Sequence, residues 1–272
     1  MDWSKTKTIF IGVFLILNIF LLTIFIKKIS EPEVLSDSST RQSLESVNIT
    51  YPADLTATKE AVNETDISAI SKKFTDADKG SLKNQEVSIL NENTLYSTLD
   101  EPYNLGDKLT EEDVKEKLKS FLNEYTIDGD KYAFRNLDKE NLTISYNQLY
   151  KGRPIFHNGS AEIVLELNNE LEIVSYKQTM MEDIKAFGKA SRIITPLESL
   201  QILADSGKIE PDSKVTIFEE GYSTEVPFPD SQVLTPTWHF VIEKKEKEQH
   251  LYFTAIDGNV IEFTKKEKEL LE

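Results

Sequence analysis

At 272 residues the chain holds one or two ordinary domains, and the absence of cysteine excludes disulfides, thiol nucleophiles and every cysteine-ligated metal site. Its 31 basic and 47 acidic residues leave a formal charge of −16; residues 1–28 hold four lysines against Asp2, a local +3, so the remainder carries −19. A surface this acidic repels phosphate backbones and anionic headgroups, which argues against nucleic acid as a partner. It attracts cations or a basic protein surface, or simply keeps the chain soluble.

The first predicted element is a membrane anchor. Ile9 to Ile26 is an apolar run of eighteen residues interrupted by Gly12, Asn18 and Thr23. As a helix it spans about 27 Å, close to the thickness of bilayer hydrocarbon. With Thr8 and the lysines at 27 and 28 it defines an anchor over residues 8–28 behind a cytoplasmic tail of residues 1–7. A cleaved signal peptide would have a shorter apolar region and a small-x-small site, whereas this chain runs on as Lys27-Lys-Ile-Ser-Glu-Pro32. Two lysines precede the span and two follow it, so apart from the α-amino group the charge count leaves orientation open. Asn18 places an amide in hydrocarbon. Its partner is either a neighbouring membrane helix, worth about 0.6–2 kcal/mol per hydrogen bond, or its own helix backbone. The expectation is contact with a partner helix.

Residues 29–85 read as a stalk and irregular lead-in, with a flexible Ser36–Thr40 stretch and a short helix over Asp66–Phe74 whose Ile67, Ile70 and Phe74 share one side. A first unit follows over 86–182. Thr110-Glu-Glu-Asp113 resembles a capping box, and behind it Val114, Leu118, Phe121, Leu122 and Tyr125 form a helical stripe. Ala161, Ile163, Leu165 and Leu167 then alternate with more polar positions, turn at Asn168-Asn169 and return through Leu171 and Ile173 as a β-hairpin. A second unit over 183–264 repeats the scheme. Thr195-Pro-Leu-Glu198 caps a helix bearing Leu197, Leu200, Leu203 and Ala204, Gly207 ends it, and strands near 215–218, 238–242 and 251–256 lead to a turn at Asp257-Gly-Asn259. From capping threonine to hairpin turn is 58 residues in one unit and 62 in the other. The expected fold class is therefore α+β: an N-terminal transmembrane helix, then two similar units, each a helix packed on an antiparallel β-sheet, and a charged tail over 265–272.

No catalytic or metal constellation is legible, so the chain reads as a non-enzyme with no cofactor. His157, His239 and His250 lie far apart on strand-like segments and read as strand surface residues. An EF-hand loop starting at Asp128 would need Gly at 133 and Glu at 139, where the chain has Ala133 and Lys139. Four Asn-x-Ser/Thr sites, at Asn48, Asn63, Asn141 and Asn158, match the glycosylation pattern. One motif remains: Tyr146-Asn-Gln148-Leu-Tyr-Lys-Gly152-Arg-Pro154-Ile-Phe156, two strands about a tight turn, in which Gly152 supplies a positive φ and Pro154 presets its neighbour.

The opening Met1-Asp-Trp-Ser-Lys-Thr-Lys-Thr-Ile-Phe-Ile, continued by Phe14-Leu-Ile-Leu-Asn18, resembles the start of YycI (WalI) proteins, membrane-anchored regulators of the WalK (YycG) sensor histidine kinase in Gram-positive bacteria. The Tyr146–Phe156 motif and the paired units fit that family. The resemblance implies a cytoplasmic N-terminus, an extracytoplasmic bulk, and a complex with WalK and the related regulator YycH that controls cell-wall homeostasis. Tyr146, Gln148, Gly152 and Pro154 are the family-like residues, and by position Asn18 is the candidate kinase contact. The Tyr-x-Gln…Gly-x-Pro stretch is also similar to PepSY-type modules, which implies the alternative of an extracytoplasmic protease inhibitor or folding module.

Overall fold

A computed structural model describes residues 3–30, 44–56, 62–106, 111–245 and 247–261. The stalk around Ser36–Thr40, the capping residue Thr110 and the tail over 265–272 lie outside these. Helix α1 runs Trp3–Ser30 without a break. Its described side chains from Phe10 to Ile24 are all exposed, and all but Gly12, Asn18 and Thr23 are apolar. Among the described residues, fifteen in this stretch, no helix is long and apolar enough to cross a membrane.

The rest of the described chain forms two antiparallel sheets. After short 3₁₀ turns at Leu44–Val47 and Ala53–Thr56 come β1 (Asn63–Ser71), α2 (Asp76–Ser81), β2 (Gln85–Leu90), β3 (Thr94–Asn104) and α3 (Glu111–Tyr125). Then follow β4 (Tyr132–Asp138), β5 (Thr143–Tyr150), β6 (Arg153–Pro154), β7 (Glu162–Leu167), β8 (Glu172–Gln178) and β9 (Met181–Arg192). The last are α4 (Pro196–Asp205), β10 (Lys214–Ser223), β11 (Ser231–Lys244), β12 (Lys247–Thr254) and β13 (Val260–Ile261). The first sheet has the order β2-β3-β8-β7-β5-β4 with β6 added to β5; the second has β13-β12-β11-β1-β9 with β10 added to β11. The α+β class with antiparallel sheets and few helices is as expected. The likeness between the units reaches only to a helix on a sheet, since the two sheets differ in strand number and order.

Each sheet has its own core. Leu118, Phe121 and Leu122 of α3 are buried against Ile144, Ile163, Leu165 and Tyr176, with the Phe121 ring 5.0 Å from Tyr103 and 6.3 Å from Tyr176. In the second sheet Leu200 and Leu203 of α4 pack with Trp238, Phe240, Phe253 and Leu55. Helix α4 has the predicted ends. Thr195 and Glu198 form a reciprocal capping box, and at the other end Lys208 N–H donates to Leu203 O across Gly207, whose φ is +71°. The predicted turn at Asn168 is also present, its Oδ1 accepting from the N–H groups of Glu170 and Glu172.

The lead-in corrects the sequence reading. Asp66–Phe74 is not a helix: its first six residues lie in β1, which pairs with both β9 and β11, Ile67 standing opposite Ala186 on one side and Leu234 on the other. Period two explains the burial. Ile67 and Ala69 are 4% and 2% exposed, whereas Ile70, on the supposed helical stripe, is 41% exposed. Pairing on both edges with strands more than a hundred residues away overrides a three-residue spacing that local pattern alone reads as helical.

Candidate functional site at the joint between the sheets

The Tyr146–Phe156 motif lies where the two sheets meet. Lys151 and Gly152 have φ of +53° and +81°, the consecutive positive values of a tight hairpin turn, and they fold β6 back onto β5 with Tyr150 opposite Arg153 and Leu149 opposite Pro154. No neighbouring atom approaches Gly152, so its conformation alone explains the glycine. Beyond the turn the chain crosses to the second sheet: Ile155 pairs in parallel with Tyr222 of β10, and Phe156 N–H donates to Tyr222 O at 2.7 Å. A Cβ on Gly221 would lie 2.3 Å from the Phe156 ring and 2.4 Å from Pro154 O, so this contact needs glycine for space.

Gln148 is 2% exposed and acts as a short strand of its own. Its Nε2 donates to Met181 O and its Oε1 accepts from Met181 N–H, both at 2.7 Å, at the point where the chain leaves the first sheet for β9. Tyr146 is buried edge-on against Phe134; burial pushes its phenol pKa up. A third apolar cluster, with Ile67, Ala69, Ile155, Ala161, Met181, Tyr222 and Leu234, fills the joint. Arg153 extends the joint to the second sheet, pairing with Glu64 of β1 at 3.1 Å and Glu220 of β10 at 2.9 Å. Burial first, and the Glu64 charge with it, raises the Glu220 carboxyl against the lowering pull of Arg153. The motif therefore has structural work at every quoted position.

The three histidines, expected to stand apart, join one cluster: His157 and His239 meet Tyr252, and His250 meets His239. His157 Nε2 lies 2.8 Å from the Tyr252 hydroxyl, and the His239 ring stacks on Tyr252 at 4.4 Å with 3° between planes. His250 meets the edge of His239, the ring centroids 5.2 Å apart and the planes 14° from parallel, with His239 Nε2 and His250 Nδ1 in hydrogen-bond contact at 2.9 Å. Phe156 abuts both His239 and Tyr252 edge-on. The signal was in the register. In the β11–β12 hairpin His239 stands opposite Tyr252 and Val241 opposite His250, which puts the two histidines diagonally on one face.

Other candidate positions resolve simply. Asp128 pairs with Lys131 at 2.8 Å. Asn158 is 1% exposed and donates to Gln232, so it is closed to glycosylation in the folded chain. Asn18 Nδ2 donates to Phe14 O one turn back at 2.8 Å, a bond to its own helix backbone. A depression of about 250 Å³ lined by Thr50, Tyr51, Pro52, Lys214, Val215 and Thr216 has no catalytic set, and a cleft near Arg153 and Glu220 measures only about 50 Å³. Among the described residues no three histidine or carboxylate side chains are grouped to hold a metal.

These features define an α+β protein of two joined antiparallel sheets behind an N-terminal helix. The YycI protein family model matches residues 29–256, most of the chain, and the protein belongs to the YycI family. No curated protein matches it. Among solved structures it is similar to an uncharacterized protein from Eubacterium rectale, at 13% identity and TM-score 0.44 over 74% of this chain and 87% of that one. It is also similar to the Bacillus megaterium YpeB C-terminal domain, at 10% identity and TM-score 0.44 over 70% of this chain and 97% of that one.

Proposed function

We propose that the protein is a non-enzymatic regulator of a sensor histidine kinase of the WalK (YycG) type, acting with YycH in a two-component system that controls cell-wall homeostasis. The family match over residues 29–256 carries this reading. In the proposal residues 8–28 anchor the chain as a single pass, the N-terminus is cytoplasmic, and the sheets lie outside the membrane. The exposed apolar side chains of α1 from Phe10 to Ile24, which pack against nothing else among the described residues, support the anchor. The kinase is biased through differential contacts with the anchor helix and the sheets, Asn18 contacting a partner helix. The family match lends no support to a protease inhibitor or folding module.

The test is a mild-detergent pull-down of the tagged full-length protein from its native membrane, beside a version with residues 8–28 replaced by an unrelated span. A histidine kinase recovered with the native anchor and depleted by the swap is the expected result. Recovery by both versions would move recognition to the sheets, and its absence from both would overturn the regulator reading.

A further inference from the structure

We propose that the His239–His250 pair, joined through Tyr252 to His157, is a proton-sensitive clasp that holds the two sheets together at neutral pH and loosens their joint in acid. The ring nitrogens come first. His239 Nε2 and His250 Nδ1 face each other at 2.9 Å, so one carries a proton and the other accepts it. One added proton keeps that bond, because an imidazolium donates to its neutral neighbour more strongly than a neutral ring does. A second added proton sets two N–H groups head-on across a gap that holds one hydrogen, and the rings must part. Glu219 decides the order. Its Oε2 lies 3.8 Å from His239 Nδ1 and favours the first charge on His239, so the proton that opens the pair is the one His250 takes. His250 is exposed and meets solvent directly, whereas the His239 side chain is 11% exposed.

A continuous path leads from the pair to the joint. The His239 ring lies flat on Tyr252, 4.4 Å away with 3° between planes, and the Tyr252 hydroxyl is 2.8 Å from His157 Nε2. His157 belongs to the segment that crosses from the first sheet to the second. It directly follows Phe156, whose N–H donates to Tyr222 O and whose ring lies edge-on beside both His239 and Tyr252. The backbone of His157 is at φ +43°, a left-handed conformation that a non-glycine residue keeps only while its surroundings hold it. The charges around the cluster do not cancel a second imidazolium. Arg135 of β4 acts on Tyr252 with the same sign, although Glu162 of β7 pairs with it at 3.3 Å, and Glu219 of β10 is committed to His239. At His250 the pull of Glu248 is outweighed by burial first and His239 second, which hold that imidazole below its ordinary 6.5. Opening therefore falls below about pH 6.5, and the contacts present above it are lost as the pH falls. On the extracytoplasmic placement proposed above the clasp reads the pH outside the cell, though its chemistry does not depend on that placement.

The experiment is nuclear magnetic resonance of the full-length protein in detergent, its three histidines labelled at Cε1 and titrated from about pH 8 to about pH 5. Two of the three signals should titrate in two coupled steps, and His250→Gln, a change at an exposed side chain, should turn the His239 curve into a single step. Amide hydrogen exchange, corrected for its intrinsic pH dependence, reads the joint. Over the same range, protection at Phe156 should fall about tenfold more than at Ile163 and Leu165 of β7. His239→Phe combined with His250→Gln keeps a ring on Tyr252 without the titrating pair and should abolish that differential loss. Independent single-step titration of all three histidines, or a loss at Phe156 that persists in the double variant, would overturn the clasp.

Discussion

The two sheets are built by different economies of chain. Every strand of the first comes from one continuous stretch, Gln85–Gln178, into which α3 and a short 3₁₀ turn at Gly129–Lys131 are inserted. The second borrows β1 from a segment that precedes the whole first sheet and seats it between β9 and β11. A continuous sheet is held by its own hairpins, whereas an interleaved one closes only after the intervening sheet has brought its ends together, at a loop-closure cost that local contacts do not offset. The joint at Gln148, Arg153 and Phe156 is where one sheet supplies the geometry on which the other depends.

The largest effect that would test this contrast is Phe121→Ala. The side chain is fully buried between α3 and the first sheet, and its removal should cost about 3–5 kcal/mol in urea unfolding. Trp238 reports from the second core, so its fluorescence should shift together with the far-ultraviolet circular dichroism if the joint couples the sheets. Separate transitions would break the coupling.

A pair of changes in β1 comes next. Ile67→Ala should cost about 2–5 kcal/mol and Ile70→Ala about 0.5 kcal/mol or less, because only the first faces the joint. Equal losses by thermal denaturation would favour a helical stripe over the strand.

Gln148→Leu removes both bonds to Met181 and leaves its buried N–H and C=O unpaired, an expected loss of about 2–3 kcal/mol. The measurement is amide hydrogen exchange: protection at Met181 and its neighbours in β9 should fall more than in β7 and β8. Uniform loss across both sheets would mean that Gln148 supports the fold generally rather than the joint.

The smallest effect is a pH dependence. The folded His250 gives up its proton more readily than the unfolded chain does, because its pKa lies below the ordinary 6.5. The unfolded state therefore binds more protons in this window, and stability present above about pH 6.5 is lost as the pH falls through that value toward the folded pKa. His250→Gln should flatten this part of a melting-temperature profile, and an unchanged slope would assign it to other groups.

Much of the first sheet was legible because its signals are local. The stripe Leu118, Phe121, Leu122 and the alternation Ile163, Leu165, Leu167 each fall within one element, and the turn at Asn168 is made by that residue's own side chain. The caps of α4 at Thr195, Glu198 and Gly207 were legible for the same reason. The Tyr146–Phe156 motif showed its turn, since Gly152 needs only a positive φ, but not its destination on β10.

What the sequence by itself determined, then, were features whose energy is settled within a few residues: helix ends, hairpin turns, periodic faces and the apolar run of the N-terminal helix. Tertiary structure alone decided that Asn63–Ser71 is a strand, that Gln148 reaches Met181 and that His157 and His239 meet at Tyr252 with His250 joined to His239. In each case the deciding partner lies on a different element, 33 residues away for Gln148 and 95 for His157, and a contact between such positions exists only once register and sheet order have been set.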